Sequence, residues 1–243
     1  ERICSRLARH PHLVQFCGTS EFEQERYLIA ELAQFGSLDT FVEERRALLC
    51  ADRELEEAAF LDVLFQVAAG MISLHQEELL HRDLALRNIV VASFSPSPLK
   101  LHVKVTDFGL SRPGPYYQLF DASSSSSSSS SSFPVRWTAP EALKNSWRFG
   151  KKSDVWSFGV MTWEMLGYAE YIPYWSTSSD SDVIQGVADG TLRLEMPQGG
   201  NENIWALAQR CLSMSADQRP SFLDLQTLIF HQRQRERREE NEG

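Results

Sequence analysis

The polar segment HRDLALRN, at residues 81–88, constrains the fold of this chain more than any other stretch. It follows an apolar pattern of helical length, AAFLDVLFQVAAGMISLH, and it precedes two strand-like pieces, IVVAS and LHVKV. We therefore expect a loop between rigid elements, where reactive side chains are commonly placed. One face of the helix is predicted to be buried because its apolar residues recur at steps of four and three. These residues are Phe60, Leu64, Val67, Met71 and Leu74.

Several other segments show periodic patterns. SDVWSFGVMTWEML is apolar almost all round, which is typical of a helix inside a domain, and two amphipathic helices are predicted after it. Near the start, ERICSRLAR predicts the end of a helix, and LVQFCG and RYLIAEL predict a β-hairpin around the acidic turn TSEFEQE. Residues 43–57 are expected to form a charged, solvated stretch, and FSPSPLK an exposed loop. The fold class predicted from these patterns is α+β.

Charge and cysteine usage exclude several classes of function. The net charge of −9 over 243 residues argues against a nucleic-acid groove and against a polybasic membrane surface. No two of the four cysteines are spaced as a metal clip or redox pair, which favours reduced thiols in an intracellular domain. We saw no apolar run approaching the roughly 20 residues of a membrane helix. We therefore expect no nucleic-acid partner and no membrane contact from this chain itself.

Three oxygen-bearing side chains follow the helix in a short span. Asp83 and Asn88 lie in the polar segment, and Asp107 follows the second strand-like piece. Carboxylate and carboxamide oxygens suit magnesium, which takes few protein ligands and completes its shell with water and phosphate oxygens. Their order along the chain predicts a metal–phosphate site.

In these residues the chain resembles a protein tyrosine kinase catalytic domain. HRDLALRN, DFG, WTAPE, SDVWSFG and RPSF occur in the order found in that family, and the resemblance runs from Glu1 to about residue 230. It implies a bilobal kinase-like fold with a mostly helical C-lobe at residues 37–230 and a hinge at 31–36. Residues 1–30 would be a remnant of the N-lobe, with the end of one helix and about two strands, and residues 231–243 a charged tail.

The resemblance implies roles for the residues of the polar segment. Asp83 would accept a hydrogen bond from the substrate hydroxyl, and Arg87 would supply a cation directed at the phosphate. Asn88 and Asp107 would hold Mg²⁺ or Mn²⁺ against the phosphates of ATP. Two further residues, His81 and Phe108, would pack in the apolar column that links the lobes.

The nucleotide site is assigned in the same way. Ala30 would be the gatekeeper, backbone groups of Glu31 and Ala33 would bind adenine, and Val90 would form the floor of the pocket. Glu1 would be the helix glutamate that pairs with the family's strand lysine. Neither that lysine nor the glycine-rich loop has a counterpart in this chain. We therefore expect the chain by itself to bind ATP poorly and to be inactive alone.

Two positions indicate the substrate class. Ala85 and Arg87 match the Ala-x-Arg arrangement of tyrosine kinases, and Pro134 and Trp137 resemble the platform under the substrate ring. Protein substrates bearing tyrosine are therefore implied. Two alternatives remain open: a catalytically impaired pseudokinase that serves as a scaffold, and a tyrosine-kinase-like enzyme that acts on serine or threonine.

The segment from Asp107 to Glu141 corresponds to an activation segment, and it contains ten consecutive serines at 123–132. Ordering them would cost on the order of 10 to 20 kcal/mol of backbone entropy, so we expect a disordered bulge. Tyr116 and Tyr117 are the predicted regulatory phosphorylation sites, and a phosphate there could pair with Arg82.

Three more charged residues are expected to support the site. Asp154 would brace the backbone of the polar segment from the buried helix, and Glu141 would pair with Arg219. Each would otherwise be a buried lone charge, which is costly.

Overall fold

Two buried helices form the centre of the fold in the computed structural model. They are α3 (Arg53–Gln76) and α5 (Lys151–Leu166). The structure describes residues 9–23, 25–96, 99–107, 112–113, 116–118, 134–144 and 148–242, and for 112–113, 116–118 and 236–242 it describes the backbone alone. Of the predicted features, Glu1, Phe108, the helix end before residue 9 and the serine run at 123–132 lie outside the described residues.

Helix α3 confirms the predicted buried face. Phe60, Leu64, Val67, Met71 and Leu74 are all buried, and burial extends beyond this face to Leu61, Val63 and Ala68. By length and composition alone α3 could also cross a membrane, but 56% of its most apolar window is buried inside the fold. Its position is that of a central core helix, since α8 (Phe222–Glu242) and strand β5 (Leu99–Val105) pack against it.

Residues 43–57 are mostly exposed, as expected of a solvated stretch, but Leu49 and Glu56 are buried and much of the stretch is helical. Helix α1 (Leu38–Glu44) is followed by the short α2 (Arg46–Leu49), and α3 already begins at Arg53. The side chain of Asp52 caps α3 by accepting hydrogen bonds from the amides of Glu54 (3.0 Å) and Leu55 (3.2 Å). This cap satisfies amides that have no partner inside the helix, so the charged sequence can start a helix.

Helix α5 is buried along its length from Ser153 to Leu166, as its apolar sequence predicts. It packs against α7 (Glu202–Cys211), and a Cβ atom at Gly159 would lie only 2.8 Å from the Cβ of Cys211. The glycine therefore permits the close approach of the two helices. The remaining helices are α4 (Pro140–Lys144) and α6 (Asp180–Asp189).

The predicted hairpin near the start of the chain is confirmed, with a tighter turn. Strands β1 (Phe16–Phe22) and β2 (Glu25–Ala30) are antiparallel, and Phe22 pairs with Glu25. The predicted turn TSEFEQE is thus too long, because its first four residues belong to β1. The hairpin leaves large apolar side chains exposed, among them Phe22 and Leu28, each 64% exposed.

The predicted loop FSPSPLK is wrong. Strands β4 (Ile89–Pro96) and β5 pair through Phe94 with Leu101 and Pro96 with Leu99. The physical reason is the ring of Phe94, which lies 5.0 Å from that of Phe41 and 6.1 Å from that of Phe35, measured between centroids. This aromatic cluster anchors the hairpin, and Pro96 falls at the end of β4, where a missing amide donor is tolerated.

Two short antiparallel pairs complete the strands. β3 (Leu79–Leu80) pairs with β6 (Arg112–Pro113), and β7 (Tyr116–Gln118) pairs with β8 (Arg148–Gly150). The first pair joins the start of the polar segment to the residues that follow Asp107. The second joins the chain before the serine run to the start of α5.

Candidate active site

The polar segment lies between β3 and β4 and brings Asn88 and Asp107 to the same end of the β4–β5 hairpin. Asn88 directly precedes β4, and Asp107 follows β5 by one residue. Ile89 pairs with Val105, and the amide of Thr106 donates to the carbonyl of Asn88 at 2.9 Å. The hairpin register therefore brings the backbone of Asn88 close to the residue that precedes Asp107.

Asp83 is held by two neighbours in the same segment. The guanidinium of Arg87 forms an ion pair with its Oδ1, and Nδ2 of Asn88 donates to its Oδ2 at 2.9 Å and to its backbone carbonyl at 2.7 Å. The side chain of Asp83 is 14% exposed. The carboxylate is therefore fixed in orientation while one edge stays accessible.

His81 connects the polar segment to the end of β5. Its Nε2 donates to the carbonyl of Thr106 at 3.0 Å, and its Nδ1 accepts from the amide of Asp83 at 3.3 Å. Burial lowers the pKa of His81, against the opposing field of Asp154. The ring is therefore neutral near pH 7, and these two bonds require the tautomer with its proton on Nε2.

Asp154 of α5 binds backbone amides of the polar segment. Its carboxylate accepts from the amide of His81 (3.0 Å), the amide of Arg82 (2.8 Å) and Nε2 of His75 (2.8 Å). Burial opposes ionisation of this group, which is 1% exposed, but the bonds from His75 and Arg82 outweigh burial and hold its pKa below the usual value. A buried carboxylate with three donors fixes the backbone on which Asp83 stands.

Two residues of the site have left-handed backbone conformations. Arg82 has φ 68° and Asp107 has φ 58°. Such conformations cost free energy in residues other than glycine and occur preferentially at functional sites. Arg82, the predicted partner of a regulatory phosphate, is buried next to Asp83.

The predicted platform residues lie beside Arg87. The guanidinium carbon of Arg87 is 4.1 Å from the ring centroid of Trp137. Pro134 is buried, and its carbonyl accepts from the hydroxyl of Thr138 at 2.9 Å. Trp137 and Asp83 therefore contact the same arginine, from its face and from its charged edge respectively.

The predicted hinge residues connect β2 to the C-terminal part of the fold. Ala30 ends β2, and Val90 forms a bridge with Ser37 just after the hinge. The amide of Glu31 donates to the carbonyl of Gln15 at 3.0 Å, so only its carbonyl remains for a ligand. The side chain of Glu31 pairs with Lys104 at 2.6 Å. Along the chain, Ala33 lies between Glu31 and Ser37, which are both held by these contacts.

Arg219 and Glu141 form a two-bond ion pair beneath the platform. The Nη1–Oε1 distance is 2.8 Å and the Nη2–Oε2 distance is 2.7 Å. Arg219 also donates to the carbonyls of Ser213 and Lys152, each at 2.8 Å. The pair thus joins α4, the start of α5 and the segment before α8.

Tyr116 and Tyr117 lie in β7, where they pair with Gly150 and Phe149 of β8. Only the backbone of these two tyrosines is described, so their predicted regulatory role rests on the sequence.

Glu164 of α5 is a residue that the sequence analysis missed. Its Oε2 accepts from the amide of Leu86 at 3.1 Å and from the indole nitrogen of Trp137 at 2.8 Å, so it contacts both the polar segment and the platform. A signal was present, because Asp154 and Glu164 are the two carboxylates of an otherwise apolar helix. Carboxylates are almost never fully buried without partners.

Burial raises the pKa of the Glu164 carboxyl to about 7, against the bonds from Trp137 and Leu86 that lower it. The folded state therefore binds this proton more tightly than the unfolded state, whose pKa is near 4.5. Stability contributed by this group is complete below about pH 4.5 and falls by about 3 kcal/mol as pH rises through 7.

We expect Glu164→Gln, which carries no charge at any pH, to remove this part of the pH dependence. Urea unfolding of both proteins between about pH 5 and pH 8 should show the wild type losing stability relative to the variant as pH rises. A constant difference across this range would contradict the assignment.

The oxygen donors at the hairpin end suit a hard divalent cation. Asn88 uses its Nδ2 as a donor to Asp83, which leaves its Oδ1 as the atom that can ligate, and Asp107 contributes a carboxylate. A group of three or more His, Cys, Asp or Glu side chains able to hold a metal is absent from the described residues. Two oxygen ligands with phosphate and water completing the shell are the arrangement that magnesium favours.

Comparison with known proteins finds a matching family model and several similar proteins. A family model described as protein tyrosine and serine/threonine kinase matches residues 2–229. The tyrosine-protein kinase transforming protein Abl of Abelson murine leukemia virus is 33% identical over 217 residues, which cover 89% of this chain and 26% of that protein. Tyrosine-protein kinase Abl of Drosophila melanogaster is 35% identical, with 92% and 12% covered.

A third relative is the proto-oncogene tyrosine-protein kinase ROS of Rattus norvegicus. It is 32% identical, and the match covers 89% of this chain and 9% of that protein. The chain thus spans about a quarter or less of the length of these relatives.

Proposed function

The chain belongs to the protein tyrosine and serine/threonine kinase family, and we propose that in the intact protein it transfers the γ-phosphate of ATP to tyrosine hydroxyls of protein substrates. The predicted α+β, partly bilobal kinase fold is confirmed by the family match and by the mostly helical architecture. The observation that carries the proposal is Asp83, an accessible carboxylate held by Arg87 and Asn88, with Arg87 stacked on Trp137.

Asp83 accepts the hydrogen bond from the attacking hydroxyl and orients its oxygen toward the phosphorus. The ion pair with Arg87 and the bond from Asn88 limit the rotation of the carboxylate. Asp154 binds the backbone amides of His81 and Arg82, which directly precede Asp83, and this limits the movement of the loop that carries it. Such positioning accounts for much of the catalysis in phosphoryl transfer.

Asn88 and Asp107 hold the divalent cation that accompanies ATP, and we assign Mg²⁺, or Mn²⁺ in its place. When bound, the cation neutralises charge on the phosphates. Asn88 takes part through Oδ1 while its Nδ2 remains bonded to Asp83, so one residue links the metal site to the base. The carbonyl of Glu31 and the backbone of Ala33 bind the adenine ring over Val90, next to Ala30.

Specificity for tyrosine is supported by the size and position of Arg87. The residue two positions after Asp83 is the small, buried Ala85, and the cation comes from Arg87, 36% exposed and stacked on Trp137. This leaves space above Asp83 for a phenol, with Pro134 and Trp137 as its support. Phosphorylation of Tyr116 or Tyr117 would regulate access to this space by pairing with Arg82.

We place the kinase unit inside the cell. ATP is its phosphate donor, and the three cysteines among the described residues, Cys17, Cys50 and Cys211, are free thiols.

The experiment is a phosphoamino-acid assay on the full-length protein that carries this chain. With magnesium and ATP, we expect phosphate on the tyrosines of a poly-Glu/Tyr substrate and none on a matched peptide that has serine in place of tyrosine. Phosphoserine would overturn the tyrosine assignment in favour of the serine/threonine alternative. A folded protein that modifies neither substrate would favour the scaffold alternative.

A further inference from the structure

We propose that Glu164 is a positioning residue for the tyrosine substrate: one oxygen of its carboxylate ties the platform residue Trp137 to the polar segment that carries Asp83. The proposal rests on the kinase activity proposed above, and it extends the site to a residue of the buried helix α5. Glu164 contacts neither the cation ligands nor the base directly, so it acts through its neighbours.

The first step of the argument is the sharing of Oε2. This single atom accepts the indole hydrogen of Trp137 at 2.8 Å and the amide hydrogen of Leu86 at 3.1 Å. Leu86 is adjacent in the chain to Arg87, and Arg87 stacks on the ring of Trp137. The contacts therefore form a closed circuit from Glu164 through Trp137 and Arg87 back to Leu86.

The second step concerns the ring of Trp137, which packs against the apolar cluster that contains Ala139 and Trp156 and donates its indole hydrogen to Glu164. The backbone of Trp137 is fixed, because its carbonyl accepts from the hydroxyl of Ser157 at 2.8 Å and its amide donates to the carbonyl of Pro134 at 3.1 Å. Its side chain is only partly buried. The bond to Glu164 therefore adds a directional constraint to this packing and favours the rotamer in which the indole face meets Arg87.

The third step concerns Asp83. Arg87 divides its contacts between the carboxylate of Asp83 and the face of Trp137. If the indole turns away, Arg87 loses the surface that holds its plane, and the ion pair loses its fixed direction. Because a bidentate or stacked guanidinium depends on planar geometry, this change alters the orientation of the base.

The charges around Glu164 agree with this role. Arg87 faces it from the polar segment and favours the ionised carboxylate, whereas Asp39 faces it from α1 and opposes ionisation. Burial is the larger effect, and the group is 8% exposed. Burying a carboxylate costs free energy even when it accepts two hydrogen bonds. The packing of the surrounding apolar core does not require such a group.

The test uses the full-length protein labelled with fluorotryptophan, with the resonances of Trp137 and Trp163 assigned by replacing each with Phe. Trp163 is an internal control, since its indole donates to the backbone carbonyl of Glu195 at 2.7 Å, a group that does not titrate. We expect the Trp137 resonance to shift with pH, with a midpoint near 7, while Trp163 stays constant. In Glu164→Gln, the shift of Trp137 should disappear.

Kinetics provide the second readout. Glu164→Leu removes the acceptor, and we expect kcat/KM for a tyrosine peptide to fall by about 10- to 100-fold, with KM for ATP unchanged. Glu164→Gln keeps an oxygen acceptor of the same shape and should restore activity to within about threefold of wild type at neutral pH. Loss of folded protein alone would lower kcat and leave the KM values of both substrates unchanged, whereas a misplaced platform should also raise the KM for the peptide.

Each outcome decides the proposal. A Trp137 resonance that ignores both pH and Glu164→Gln overturns it, as does a Glu164→Leu variant with unchanged peptide kinetics. If Glu164→Leu does not fold, the resonance experiment on wild type and Glu164→Gln still gives the answer. If the wild type transfers no phosphate, the proposed function is wrong. The resonance experiment then tests only the hydrogen bond between Glu164 and Trp137.

Discussion

Replacing Asp83 with Asn in the full-length protein should lower phosphate transfer to a tyrosine peptide by roughly 10²- to 10⁴-fold, the range typical of the loss of a positioned general base. The substitution keeps the size of the side chain. It removes the negative charge that pairs with Arg87 and the basicity that lets the side chain take up the proton of the substrate hydroxyl.

The loss should appear mainly in kcat. The hydrogen bond from the attacking hydroxyl to Asp83 gains strength as the proton leaves, so it belongs to the transition state more than to bound substrate. Binding of ATP should change little, because the hinge contacts of Glu31 and Ala33 lie on another part of the chain. Initial rates with varied peptide and varied ATP separate these two effects.

Asp62→Asn is a matched control with the same change of charge. Asp62 pairs with Arg233 on the surface where α3 meets α8, away from the polar segment. We expect it to keep activity within about twofold of wild type, since the side chains of Asp62 and Arg233 are 32% and 23% exposed and a partly solvated pair contributes little. If Asp83→Asn folds normally and retains more than about a tenth of the activity, Asp83 is not the base.

Where the candidate site residues lie in the fold follows from the sequence more directly than the hairpin beside them does. Asp83, Asn88 and Asp107 lie in short motifs, and the register of the β4–β5 hairpin then brings two of them together without long-range information. The loop predicted at FSPSPLK was wrong because its prolines signal a turn locally, whereas the edge-to-face packing of Phe94 against Phe41 depends on residues far apart in sequence. Tertiary packing overrode local turn chemistry there.

Glu164 illustrates a second limit of sequence reasoning. The spacing of apolar residues identifies the buried face of a helix that is buried on one side. Helix α5 is buried on every face, so the spacing does not indicate where any one of its side chains points. The partners of Glu164 come from residues 86 and 137, which are separated from it by 78 and 27 positions. Only the folded chain shows that the two donors converge on one oxygen.

Replacing Arg219 with Met should destabilise the fold by about 3 to 5 kcal/mol, the usual cost of breaking a buried ion pair by removing one partner. The Arg219 side chain is 0% exposed and the Glu141 side chain 28% exposed. The variant leaves Glu141 without its two-bond partner, and it also removes the hydrogen bonds that Arg219 donates to the carbonyls of Ser213 and Lys152. For a domain of this size the melting temperature should fall by roughly 6 to 20 °C.

Lys151→Met offers a control in which distance is matched and burial differs. The Lys151–Glu78 pair and the Arg219–Glu141 pair are both 2.7 Å long, but the side chains of the first are 39% and 55% exposed. Water already solvates that pair, so its removal should cost about 0 to 1 kcal/mol. Arg219→Lys separates charge from geometry, because an ammonium cannot replace the planar set of donors. Equal melting temperatures for Arg219→Met and Lys151→Met would show that the buried pair contributes no more than an exposed one.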